Sequence, residues 1–158
     1  MIYEKFIEEY LGKGLIKKQK SDFKTTEKLI LRSRKDIKTA KANLDIDESI
    51  AYTVAYLAML RSGRALMLLK GFRPADGYQH KTVVEFVSHF LGKEFKTLVE
   101  RFDKMRRKRN IFTYDVDISI SKTEADNALT TARKFVELME KIIEKENPQG
   151  KLRFRGRK

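Results

Sequence analysis

Residues 48–71 read ESIAYTVAYLAMLRSGRALMLLKG. Small side chains recur at Ala51, Ala55, Ala58, Ser62 and Ala65, in steps of four and three that keep them on one face of a helix. A face of small residues lets a neighbouring helix approach closely. Asp47 stands where an N-cap belongs, and Gly71 followed by Pro74 supplies the stop. The uncharged run from Ser49 to Leu60 is too short to cross a bilayer. The stretch therefore reads as the central helix of a packed helical protein, not as a membrane span.

Upstream, a long helix is expected from Asp22 to Leu44, with its seam at Phe23, Thr26, Ile30, Ser33, Ile37, Ala40 and Leu44. Before it, residues 2–12 read as a short acidic helix and residues 13–20 as a basic connector. Downstream, a third helical region opens near His80 and breaks at Gly92. Its second part places Phe95, Leu98, Phe102 and Met105 on one face, and the same spacing continues to Arg109 and Phe112. Residues 115–121 are read as a loop. Ser121 with Glu124 forms a capping box for a last helix reaching about Lys145, with its seam at Ala125, Leu129, Ala132, Val136, Met139 and Ile143. Asn147-Pro148 ends it. The expected architecture is all-α: an antiparallel four-helix bundle over 21–147, a short extra helix and connector over 1–20, and a basic disordered tail over 148–158.

Composition agrees. With 158 residues and 41% apolar side chains the chain can build one core, and only eight glycines and two prolines favour long helices over a many-turned β fold. The absence of cysteine excludes disulfides and thiolate chemistry, and two histidines argue against a histidine-rich metal site. Neither metal nor cofactor is expected. The N-terminus is charged from Glu4 onward, unlike a signal peptide, so a soluble cytoplasmic protein is expected. Lys and Arg total 35 against 22 Asp and Glu, a net charge of +13, which favours a polyanionic partner.

The excess charge concentrates in residues 103–115, DKMRRKRNIFTYD, where Lys104, Arg106, Arg107, Lys108 and Arg109 put five cations into six positions. Taken singly, Arg106, Arg107 and Lys108 suit a solvated helix end near the negative pole of the helix dipole, or a nucleic-acid-binding face. Arg109 differs because it continues the apolar seam. A buried guanidinium is costly unless it is paired or faces a polar cleft, so Arg109 is expected to point into an interface or a site. The tail adds Lys151, Arg153, Arg155 and Arg157 around Phe154, a composition suited to salt-dependent nucleic-acid binding.

Arg109-Asn110 followed by Tyr114-Asp115, late in a helical chain, resembles the motif of HEPN domains, which is described as Arg, a polar residue often Asn, a short gap and then His. The helix with Tyr52, Tyr56 and its alanine stripe, the Gly71 stop, and His80 opening the next helix also look like this family, so the likeness covers roughly residues 20–145. The resemblance implies an all-α protein that dimerises with two motifs facing across a cleft. It further implies action on RNA or binding of nucleotide phosphates, often as a metal-independent ribonuclease toxin beside a minimal nucleotidyltransferase antitoxin. By the same resemblance Arg109 holds phosphate charge, Asn110 orients it or the substrate, and Tyr114 occupies the histidine position.

A phenol with a pKa near 10 is a poor general base at neutral pH. Tyr114 is therefore read as a phosphate or base contact, as an acceptor of AMP from the nucleotidyltransferase, or as a half-buried residue bonded near Arg109. His80 is an accessory candidate kept neutral by its place at a helix start, and Asp115 is a second one. Three readings follow. The chain is a phosphate-binding HEPN protein partnered with a nucleotidyltransferase, an active endoribonuclease toxin, or a plain basic nucleic-acid-binding helical protein.

Overall fold

A computed structural model describes residues 2–75 and 79–146. Six helices account for nearly all of it: α1 (Tyr3–Gly12), α2 (Phe23–Asn43), α3 (Glu48–Leu69), α4 (Gln79–Leu91), α5 (Lys96–Tyr114) and α6 (Lys122–Glu146). Two helix starts are set by the residues expected to set them, Asp47 and Ser121, and a third by Asp22, read only as the beginning of its helix. Asp22 caps α2 by accepting from the Lys24 amide at 3.0 Å, and Asp47 caps α3 by accepting from the Ile50 amide at 3.1 Å. The capping box of α6 is reciprocal: the Glu124 amide donates to Ser121 Oγ, and the Ser121 amide donates to Glu124 Oε2, each at 3.1 Å. The third helical region divides at Gly92, whose φ of +76° few other residues tolerate, and a single 3₁₀ turn leads into α5. The tail with Lys151, Arg153, Arg155 and Arg157 lies outside the described residues.

The fold is all-α, as the periodicity requires. α3 is its axis, in contact with α2, α4, α5 and α6. Every member of its small-residue stripe is buried, from Ala51 to Ala65, and so is every member of the α6 seam from Ala125 to Ile143. The closest approach is at Gly63. A Cβ there would lie 2.7 Å from Val83 Cγ1 and 3.3 Å from Val87 Cγ2, so only glycine lets α4 seat against α3.

Two buried carboxylates lie inside the bundle. Asp36 of α2, 1% exposed, accepts from Arg61 of α3 at 2.6 Å and pairs with Arg32 at 3.3 Å. Glu140 of α6, 2% exposed, accepts from Arg34 of α2 at 2.7 and 3.3 Å. Asp36 is buried on the α2 seam with Thr26, Ile30, Ser33 and Ala40, next to Ile37, which is only half-buried. The expected seam misplaced that position because hydrophobicity alone does not reveal a carboxylate whose partner lies on another helix. At the surface, Lys122 at the start of α6 reaches Asp45 in the α2–α3 loop at 2.6 Å and ties two loops together.

The basic connector contains a feature the sequence reading missed. Ile16–Lys18 (β1) pairs antiparallel with Phe72–Pro74 (β2), with Ile16 opposite Pro74 and Lys18 opposite Phe72. Three-residue strands are too short to display alternation. Ile16 is nevertheless 1% exposed, with Lys17 and Lys18 turned outward. Phe6 of α1 is fully buried, stacked on His89 and edge-on to Phe86 of α4. The N-terminal segment is thus packed onto the bundle at two places. Among the described residues no helix is long and apolar enough to cross a membrane.

Gly63→Val should overpack the α3–α4 contact and cost about 1–3 kcal/mol, read as a lowered midpoint in urea unfolding at unchanged slope. Asp36→Ala should strand Arg61 between helices. A loss of about 1–3 kcal/mol is expected, less than for a fully enclosed pair because Arg61 is partly solvated. An unchanged midpoint in either variant contradicts the packing described.

Candidate phosphate-binding site

α5 runs antiparallel to α3, and aromatic contacts fix their register. Tyr52 meets Phe112 edge-on at 5.6 Å, and Tyr56 lies 5.9 Å from Phe102. This alignment brings Arg106 and Arg109 within electrostatic reach of Tyr56. The first turn of α4 brings Gln79 and His80 to the same place. Tyr56, fully buried, has its hydroxyl 2.8 Å from His80 Nδ1. Arg64, two turns along α3, donates from Nη2 to Gln79 Oε1.

The cluster is strongly cationic. Burial, and then the charges of Arg109, Arg64 and Arg106, hold the His80 imidazolium below its ordinary pKa. His80 is therefore neutral at pH 7, as expected, but through its surroundings instead of through the helix terminus alone. Burial pushes the Tyr56 phenol well above its ordinary range, outweighing the arginines, so its hydroxyl stays protonated. Burial also lowers the Arg64 guanidinium, with Arg61 adding to the effect, but the group remains a cation.

Arg109 is half-buried, as its seam position predicts. Its Nε is shielded from solvent with no hydrogen-bond acceptor among the described residues, while Nη1 reaches Asn110 Oδ1 at 3.3 Å. A shielded donor without an acceptor is costly, and an incoming anion relieves that cost. Arg106 was read as solvated, yet its side chain is only 16% exposed. The buried face of α5 keeps the expected Phe102 and Met105 and takes Val99 where Leu98 was expected, and Arg106 lies at its edge. Arg106 pairs with Asp103 at 2.9 Å, and Arg107 takes the other oxygen of the same carboxylate at 3.2 Å.

The remaining candidates are dispersed. Lys108 turns to Glu124 of α6 at 3.0 Å. Asn110 is exposed beside Arg109. Tyr114, the last residue of α5, is 89% exposed, which rules out the half-buried reading. Asp115 is exposed and accepts from the Asp117 amide. Two members of the cluster escaped sequence reasoning, Tyr56 as a hydrogen-bond partner and Arg64. A signal for Arg64 was present: between Ser49 and Leu69 the only charged residues are Arg61 and Arg64, and charge inside an apolar helix requires a destination. Arg61 finds Asp36, whereas Arg64 forms no ion pair among the described residues.

The comparisons bear on this arrangement directly. A family model described as HEPN domain matches residues 26–142. No curated protein and no solved structure matches the chain. The matched span runs from the first turn of α2 into the last turns of α6 and contains Tyr56, Arg64, His80, Arg106, Arg109, Asn110 and Tyr114. With about three-quarters of its length matched, and with the all-α architecture around α3, the chain belongs to the HEPN domain family.

Proposed function

We propose that the protein binds RNA or nucleotide phosphates through Arg109, Asn110 and Tyr114 at a cleft between two copies. In this reading it works with a minimal nucleotidyltransferase in a toxin–antitoxin-like pair. Membership in the HEPN domain family supports a nucleotide- or RNA-related function, often a ribonuclease one. The observation that carries the finer reading is Arg109, a half-buried guanidinium with a shielded Nε and no ion pair among the described residues, which together with Arg64 and Arg106 acts on His80. A planar guanidinium is suited to gripping phosphate oxygens. An open groove of about 860 Å³ between α4 and α5 sets Lys81, Lys93, Lys96, Arg106 and Arg107 against Glu85, Glu100 and Asp103, an excess of cations that suits an anionic partner. Exposed apolar side chains at the same end of α5 and just beyond, Ile111, Val116 and Ile118 around Tyr114, favour a second copy there.

An endoribonuclease reading draws on one further observation. The neutral imidazole of His80, within electrostatic reach of Arg109, is better suited to proton transfer at neutral pH than the phenol of Tyr114. The tyrosine in turn suits modification: at 89% exposure its hydroxyl can attack the α-phosphorus of ATP bound to a nucleotidyltransferase. The new bond joins the phenol oxygen to AMP, pyrophosphate leaves, and the phenol proton passes to solvent.

Single-stranded RNA binding by fluorescence anisotropy tests the first reading. Arg109→Ala should weaken affinity at least about tenfold, the size of one charge-assisted contact. Deletion of residues 149–158 should mainly flatten the salt dependence. If the deletion abolishes binding and Arg109→Ala leaves it intact, the protein is a plain basic binder. RNA cut equally with and without EDTA selects the ribonuclease reading, and RNA bound but uncut removes it. Incubation with the nucleotidyltransferase and ATP should add AMP to Tyr114 by mass spectrometry. AMP addition that persists in Tyr114→Phe rejects this acceptor.

A further inference from the structure

Deepening the phosphate-binding reading, and resting on it, we infer that the Arg64–His80–Arg109 cluster is a terminal-phosphate pocket. It takes the dianion of a phosphomonoester in preference to an internal phosphodiester, and His80 gains a proton as the dianion enters.

The preference for a dianion follows from the charges that face His80. From α3 come Tyr56, which is neutral, and Arg64. From α5 come Arg106 and Arg109, with Asp103 close by. On its own helix Gln79 is the neighbour and is neutral. Asp103 is already divided between Arg106 and Arg107. Two guanidiniums, Arg64 and Arg109, therefore form no ion pair among the described residues, and their nearest polar partners are neutral amides, Gln79 and Asn110. Arg64 and Arg109 are uncompensated, and Arg106 with Arg107 outweigh the one Asp103 carboxylate by a further charge, so the cluster has at least two positive charges to spare for an anion. A phosphodiester brings one charge, whereas a terminal phosphate brings nearly two at pH 7.

The proton follows from the hydrogen-bond pattern. His80 Nδ1 is engaged by the Tyr56 hydroxyl, and no hydrogen bond to Nε2 is formed among the described residues. In either tautomer, gain of one proton leaves both ring nitrogens as donors. Nδ1 then donates to the Tyr56 oxygen and Nε2 to the anion. The arginines that now disfavour the imidazolium are offset once the dianion sits among them, so the His80 pKa rises on binding. Affinity therefore increases as pH falls through the bound-state pKa, and levels off below the free-state pKa.

The protonation test uses sulfate, which remains a dianion across the range, so any proton taken up belongs to the protein. Calorimetry of the full chain at about pH 6.5 in two buffers of different ionisation enthalpy should show proton uptake with sulfate. His80→Gln, which keeps a hydrogen-bonding group toward Tyr56, should bind sulfate without it. The wild-type His80 ring signal in NMR should titrate at higher pH with sulfate than without, a measurement that needs no variant. Sulfate bound with no uptake and no movement of that signal overturns the switch.

The ligand class is tested with AMP and with one RNA oligonucleotide carrying a 5′-hydroxyl, a 5′-phosphate or a 3′-phosphate. A terminal phosphate on the RNA should tighten binding at least about tenfold, or about 1.4 kcal/mol, and Arg64→Gln should erase the gain. Preference for AMP over adenosine without any gain on RNA ends identifies a free nucleotide as the source. No preference in either series overturns the pocket. If hydroxyl-ended RNA still binds in an Arg109-dependent way, the broader phosphate-binding reading survives that failure.

Discussion

Everything in this fold depends on how closely other helices can approach α3. A helix touched by four others cannot carry large side chains all round, because interhelical separation is set by the side chains at the contact. The sequence solves this by face. Alanine, serine and glycine lie where neighbours come closest, and Tyr52, Tyr56, Met59, Leu66 and Met67 fill the wider spaces between them. Tyr56 reaches His80 because Gly63, two turns along, lets α4 lie against α3. The site is therefore a consequence of packing before it is a matter of chemistry.

Charge inside the bundle serves two different ends. Arg61 and Arg34 each meet a buried carboxylate on another helix, and those pairs fix register between α2, α3 and α6. Arg64 and Arg109 are left without such partners among the described residues, and both lie within electrostatic reach of one imidazole. Breaking a buried pair is costly, and so is leaving a buried charge uncompensated. The contrast separates arginines paired with a buried carboxylate from those that form no ion pair among the described residues.

Much of this was legible from residue spacing. The α3 stripe, the α6 seam, the caps at Asp47 and Ser121, and the break at Gly92 all follow from local rules of helix geometry. Arg109 was legible too, because a cation at an apolar position is an anomaly that periodicity exposes. Arg106 was not, since it lies at the edge of the buried face, where spacing alone does not decide whether it points out or in. Asp36 and the Tyr56–His80 contact were not, since each depends on a partner distant in sequence. The β1–β2 pair escaped because three residues carry no period.

That small pair of strands has a structural consequence. β2 lies between the end of α3 and the start of α4, and β1 holds it from the far side of the sequence, with the Gln19 amide bonded to the Gly71 carbonyl and the Ala75 amide to the Leu15 carbonyl. α1, through Phe6, grips α4 from its other side. Residues 3–18, which precede the matched family region, thus hold residues 72–75 of the connection between α3 and α4. The matched family region begins near residue 26, whereas the packing that holds the connection between α3 and α4 begins at the first helix.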